Sequence, residues 1–111
     1  MVAQPRAQPP GFQATMDGGT VTVVLRGEFD LASADFLADR LERISESRPR
    51  RLVYDVAQVA FMDCASARLI ADTGRSLPAG VKPVVKNPPP IMLRLLEVTG
   101  IDTLVQLELR G

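Results

Sequence analysis

Apolar residues follow two rhythms along this chain. In residues 20–25 and 52–56 they are dense and β-branched, which predicts strands. From Ala34 they recur at Leu37, Leu41 and Ile44, the spacing of one helical face. Ser33 is a plausible N-cap for that helix, which is expected to run to about residue 45, with Asp35, Asp39, Arg40, Glu42 and Arg43 on its solvated side. Residues 12–16 read as a strand, and Asp17-Gly18-Gly19 joins it to residues 20–25 as a hairpin. Arg48-Pro49-Arg50-Arg51 ends the helix and leads into the central strand.

After the central strand, residues 59–62 read as a short apolar connection, and Asp63 as the N-cap of a helix over 64–77. Leu69, Ile70, Thr73, Gly74 and Leu77 are spaced to pack that helix on a sheet. Pro78-Ala79-Gly80 breaks it. Residues 81–86 form another expected strand, and Asn87-Pro88-Pro89-Pro90 opens a helix over 91–98. Its expected core stripe is Ile91, Leu95 and Val98, with Met92 and Leu96 beside it and Arg94 and Glu97 outward. Gly100 suits a left-handed C′ residue with Ile101 as the apolar contact after it, and 103–109 alternates as a last strand. The order β-β-α-β-α-β-α-β predicts an α/β fold, with a mixed, mostly parallel sheet and a starting hairpin.

Composition narrows the function. The 111 residues suit one domain, and 46% apolar with 23% charged residues suits a water-exposed globule. Thirteen basic and thirteen acidic residues cancel, so nucleic acid and anionic lipid are demoted as partners. One cysteine, Cys64, permits no intrachain disulfide and fits a reducing compartment. The chain has no histidine, which removes the commonest general base and zinc ligand. Residues 1–10, with Pro5, Pro9 and Pro10 among polar residues, are expected to be a disordered tail and not a signal peptide, with the domain over 11–111. No apolar run approaches a membrane span.

Three landmarks stand in order along this pattern. They are Gly27-Glu28-Phe29-Asp30, Phe61-Met62-Asp63, and the run from Asn87-Pro88-Pro89 through Leu95-Leu96 to Thr99-Gly100-Ile101. Together they resemble the STAS domain, the fold of anti-sigma factor antagonists, over nearly all of the chain after residue 11. The resemblance implies a cytoplasmic, protein-binding switch that is a monomer or weak dimer and needs no cofactor. In phosphorylatable members the loop reads Asp-Ser-Ser/Thr-Gly-Leu. A partner that is both anti-sigma factor and serine kinase phosphorylates its second hydroxyl residue. The unphosphorylated antagonist binds that partner and frees a sigma factor.

Here the loop reads Asp63-Cys64-Ala65-Ser66-Ala67-Arg68-Leu69-Ile70. The aspartate matches. Cys64 stands at the first hydroxyl position, Ala65 at the phospho-acceptor position, Ser66 for glycine and Ala67 for leucine. Alanine has no oxygen to phosphorylate. Three readings follow: an antagonist that this loop cannot switch off, a STAS binding module in a scaffold or transport-accessory complex, or a phosphosite moved to Ser66. Asp30, Asp63, Cys64, Ala65, Ser66 and Ala67 are the expected partner-binding residues.

Simpler readings stand beside these. Ser66 serves as a helix-capping or solvent-facing hydroxyl, and Cys64 as a small buried apolar filler. Asp63 is an N-cap, and Asp30 a turn residue. Tyr54 and Asp55, read as ending the central strand, would suit a receiver-like phospho-aspartate, but the chain has no acidic doublet after its first strand. A Gly-rich phosphate loop, a G-x-S-x-G turn and metal-ligand spacing are all missing from the sequence, so a binding domain is expected over an enzyme.

Overall fold

The hairpin and the central strand grow into one five-stranded sheet. In the computed structural model, which describes residues 8–110, β1 (Gly11–Asp17) and β2 (Thr20–Phe29) pair antiparallel. Gly18 and Gly19 both take positive φ between them, as a two-residue turn joining twisted strands requires. Next come α1 (Ala34–Glu46), β3 (Arg51–Met62), α2 (Cys64–Asp72), β4 (Val84–Lys86), α3 (Pro90–Thr99) and β5 (Gln106–Glu108). The sheet order is β1-β2-β3-β4-β5, and β2 through β5 are parallel.

Each parallel step moves the same way across the sheet. Right-handed crossovers then put all three helices on one face. The core agrees: Val23, Leu25 and Phe29 of β2 and Leu52, Tyr54 and Val56 of β3 share a cluster with Leu37, Leu41, Ile70, Met92 and Leu96. The alternate positions face away from the helices. There Arg51 reaches Glu108 across the sheet at 3.7 Å. Asp55 stands on this face in mid-strand, its carboxylate accepting the Ala57 amide (3.1 Å), so it does not end the strand as the sequence suggests.

Several boundaries differ from the sequence expectation. Residues 59–62 are not a connection but the last third of β3, paired with an equally extended β2. Two register irregularities break the alternation, between Val24 and Arg26 and between Gly27 and Glu28. A strand with bulges loses the period of two that would reveal it. The helix expected over 64–77 ends at Asp72 and tightens into a 3₁₀ turn, Thr73–Ser76. Pro83 lacks an amide hydrogen, and β4 begins only after it. Ile101–Leu104 is a 3₁₀ turn, which shortens the last strand. Gly100 does take the left-handed conformation, with φ of 78°.

Most of the expected tail, residues 1–7, lies outside the described residues. Residues 8–10 run beside the end of β2. The Glu28 amide donates to the Gln8 carbonyl (3.1 Å), and the Gln8 amide donates to the Glu28 carboxylate (2.9 Å). Gly27 permits this approach: its φ is 81°, and a Cβ there would collide with the Pro9 carbonyl oxygen.

Tyr54 is fully buried beneath α2, and its hydroxyl meets Thr73 Oγ1 at 2.8 Å. Thr73 gives its own hydrogen to the Ile70 carbonyl, so Tyr54 is the donor. Burial pushes the Tyr54 phenol well above the ordinary tyrosine range. The folded chain therefore keeps a proton that the unfolded chain loses above pH about 10. This contribution to stability is intact below that pH and drains away above it. Tyr54 is the only tyrosine, so tyrosinate absorbance reports it alone. In an alkaline titration, tyrosinate should appear only as the fold is lost, and Tyr54→Phe should flatten the alkaline fall in stability. Tyrosinate forming near pH 10 with circular dichroism unchanged would contradict this burial.

Candidate functional site

Asp63 is the single residue between β3 and α2. Its amide donates to the Phe29 carbonyl (2.9 Å), which ties the end of β3 to the end of β2. Its extended backbone (φ −83°, ψ 170°) turns the carboxylate onto the helix start, where Oδ1 accepts the Ser66 amide at 2.8 Å. The Ala67 amide bonds the Asp63 carbonyl. This is the expected N-cap. It leaves the Cys64 and Ala65 amides at the first two helical positions, where no intrahelical acceptor exists.

Asp30 leaves β2 beside Asp63, because Phe29 and Met62 are register partners. It caps a 3₁₀ turn, Leu31–Ser33: its Oδ1 accepts the Ala32 amide (3.0 Å), and Ser33 Oγ accepts the Asp30 amide (2.9 Å). The cap expected at Ser33 thus belongs to Asp30, and Ser33 closes the capping box from behind. Ser33 makes no side-chain cap bond to α1. Two half-buried carboxylates therefore share one end of the sheet.

The four loop residues after Asp63 divide by helical rotation. Ser66, Ala67, Ile70 and Ala71 form the inward stripe of α2, and Ser66 is only 2% exposed. Cys64 and Ala65 face out. Cys64 is thus a free, exposed thiol at the helix start and not a buried filler. The reason is position: the inward stripe begins only at Ser66. Ser66 likewise does not face solvent.

An apolar groove lies next to this loop. The end of β3, with Phe61 and Met62, and the outer side of α3, with Ile91, Arg94, Leu95 and Val98, enclose about 310 Å³. Phe61 is 46% exposed, Ile91 71% and Val98 75%. The fully buried residues of α3 are instead Met92 and Leu96; of the stripe expected to be core, Leu95 packs partly against it, and Ile91 and Val98 are left open. Both stripes have helical spacing, and spacing alone cannot say which one turns inward. The available signal was quantity: six of the eight residues from Ile91 to Val98 are apolar, more than one buried face uses. Contiguous exposed apolar surface of this kind marks an interaction site. Among the described residues no helix is long and apolar enough to cross a membrane.

The family model for the STAS domain matches residues 12–110. No curated protein matches the chain. Among solved structures, an anti-sigma factor antagonist from Mycobacterium paratuberculosis is similar, with a TM-score of 0.81, 23% identity, and coverage of 90% of this chain and 86% of that one. The anti-sigma factor antagonist SpoIIAA in its unphosphorylated form gives 0.72 at 22% identity, covering 87% of each chain. The Bacillus cell fate determinant SpoIIAA in its phosphorylated form gives 0.65 at 22%, covering 87% of this chain and 90% of that one. At these identities the likeness is one of fold.

Removing the Asp63 carboxylate should lower stability by about 1 kcal/mol, the usual worth of an N-cap. Asparagine caps as well as aspartate, so Asp63→Asn should lose much less. Urea unfolding of the two variants checks this, and an unchanged midpoint for Asp63→Ala would show that the cap is not holding the loop.

Proposed function

The chain belongs to the STAS domain family, and on that footing we propose that it works by binding a protein, as an antagonist that captures a serine-kinase-type anti-sigma factor and frees a sigma factor. The observation that carries this reading is an open apolar groove whose wall ends at Met62, one residue before Asp63 and the exposed Cys64 and Ala65 at the start of α2. Asp30 and Asp63 frame that surface, while Ser66 and Ala67 hold its underside. Arg94 is the only charged residue lining the groove, and among the described residues it makes no ion pair. Such a surface fits a partner segment with apolar side chains and a carboxylate to meet Arg94.

The switch is what sets this chain apart. A phosphate on an exposed residue of this turn would add about −1.5 to −2 charges beside Asp30 and Asp63 and oppose docking. Ala65, at the acceptor position, has no hydroxyl. Ser66 has one, but it is nearly sealed inside the fold, and a kinase would have to open the helix to reach it. The antagonist is therefore constitutively competent at this loop. In this role it needs no chemistry of its own. The absent acceptor would equally suit a STAS module in a scaffold or transport-accessory complex, and the partner's identity divides the two.

The test is a kinase-type anti-sigma factor from the same organism, with ATP. Wild type should bind and stay unlabelled, and Ala65→Ser should become labelled. Ala65→Asp and Val98→Glu, both at exposed positions, should each weaken binding about tenfold or more, since each places a charge in a desolvated contact. Label on the wild-type chain, or unchanged affinity in both acidic variants, would contradict the reading.

A further inference from the structure

The opposite end of the sheet carries a second concave surface, with different chemistry. Arg48, Arg50 and Arg75 line a cleft of about 480 Å³, with Ser45 and Ser76 on its walls and no acidic residue in its lining. The chain as a whole balances its charges, so three arginines without an acid is a local excess. Arg40 and Arg43 share Asp39, and Arg51 reaches Glu108, whereas the three arginines of the cleft stand together with no such partner among the described residues. Among those residues, none of Arg48, Arg50 and Arg75 lies within 4.0 Å of a carboxylate. Like charges gathered in a concavity repel one another and focus a positive potential there.

The main chain holds all three in place. The Arg50 amide donates to the Gly19 carbonyl (2.8 Å), and its side-chain stem passes 3.4 Å from where a Gly19 Cβ would sit, so the β1–β2 turn supports it. Arg75 belongs to the Thr73–Ser76 turn, where the Ser76 hydroxyl donates to the Thr73 carbonyl (2.7 Å). Arg48 follows the C-cap of α1 with φ of 48°. That left-handed position normally goes to glycine. An arginine there is strained, and strained residues gather at functional sites.

We infer that this cleft binds an oligophosphate, a chain of phosphate groups carrying two or more negative charges. A guanidinium fork meets phosphate oxygens with paired, charge-assisted hydrogen bonds. Three forks around one cleft suit several linked phosphates better than one. The length of β3 separates the cleft from Asp63, about 35 Å at roughly 3.3 Å per residue. An oligophosphate and a protein at the Asp63 end can therefore bind together. This inference does not depend on the proposed function.

Calorimetric titration of the full chain with inorganic tripolyphosphate tests it. One-to-one binding that weakens as salt rises is expected. Arg50→Gln and Arg75→Gln should each lower affinity roughly fivefold or more. All three side chains are exposed, so the substitutions leave the core intact. Arg48→Gly is the sharper variant. It relieves the left-handed strain, so it should raise the thermal midpoint while still weakening tripolyphosphate binding. A raised midpoint with unchanged affinity would make Arg48 a structural accident and overturn its part in the site. Vesicles of phosphatidylcholine doped with a phosphatidylinositol bisphosphate form a second arm. Binding to them that is lost in the same variants would keep the phosphate chemistry and assign its source to a lipid headgroup. No heat with tripolyphosphate and no vesicle binding, or equal binding by every variant, would overturn the inference.

Discussion

Asp63 makes the two hydrogen bonds on which this architecture turns. Its amide closes the ends of β2 and β3 against each other through the Phe29 carbonyl, and its carboxylate starts α2 through the Ser66 amide. A one-residue link between strand and helix leaves no slack. The rotational setting of α2 is therefore fixed where it begins, and successive residues differ by about 100° around the axis. That setting decides which neighbours look out. Cys64 and Ala65 reach the surface, while Ser66 and Ala67 meet the core. The character of the surface follows: the exposed Ala65 carries no hydroxyl, and the Ser66 hydroxyl beside it is shut in.

The sheet gives the molecule two ends with different character. Four parallel strands in sequential order put every β-to-α connection at the same end. The carboxylates of Asp30 and Asp63 gather there, next to the groove between β3 and α3. The returning connections run to the other end, which collects Arg48, Arg50 and Arg75. A chain with no net charge thus presents an apolar surface framed by acid at one pole and a basic cleft at the other. The long β3 keeps them apart, so events at one need not disturb the other.

Much of this was legible in the sequence, and the gaps have physical causes. Every strand and helix was found, because hairpin chemistry at Gly18-Gly19, capping at Asp63 and the left-handed Gly100 are local signals. The length of β3 was hidden because bulges break the alternation that identifies a strand. The facing of α3 is not written in its spacing, because Met92–Leu96 and Ile91–Leu95–Val98 are both helical stripes, and only the tertiary fold turns the first fully inward and leaves Ile91 and Val98 open. Cys64 was expected inside because lone cysteines usually are, and one position of helical rotation reversed that. The arginine cleft joins residues from α1's exit and α2's exit, and no pattern along the chain links Arg48 to Arg75.

The central claim is that the start of α2 and the groove beside α3 form one continuous docking surface. Methyl cross-saturation by NMR, from an unlabelled anti-sigma factor to this chain labelled at its methyl groups, tests it most directly. The account predicts attenuation at Ala65, Ile91 and Val98 together, with Val24 on the helix-free face of the sheet untouched. Attenuation at Val24, with Ala65, Ile91 and Val98 unaffected, would contradict it.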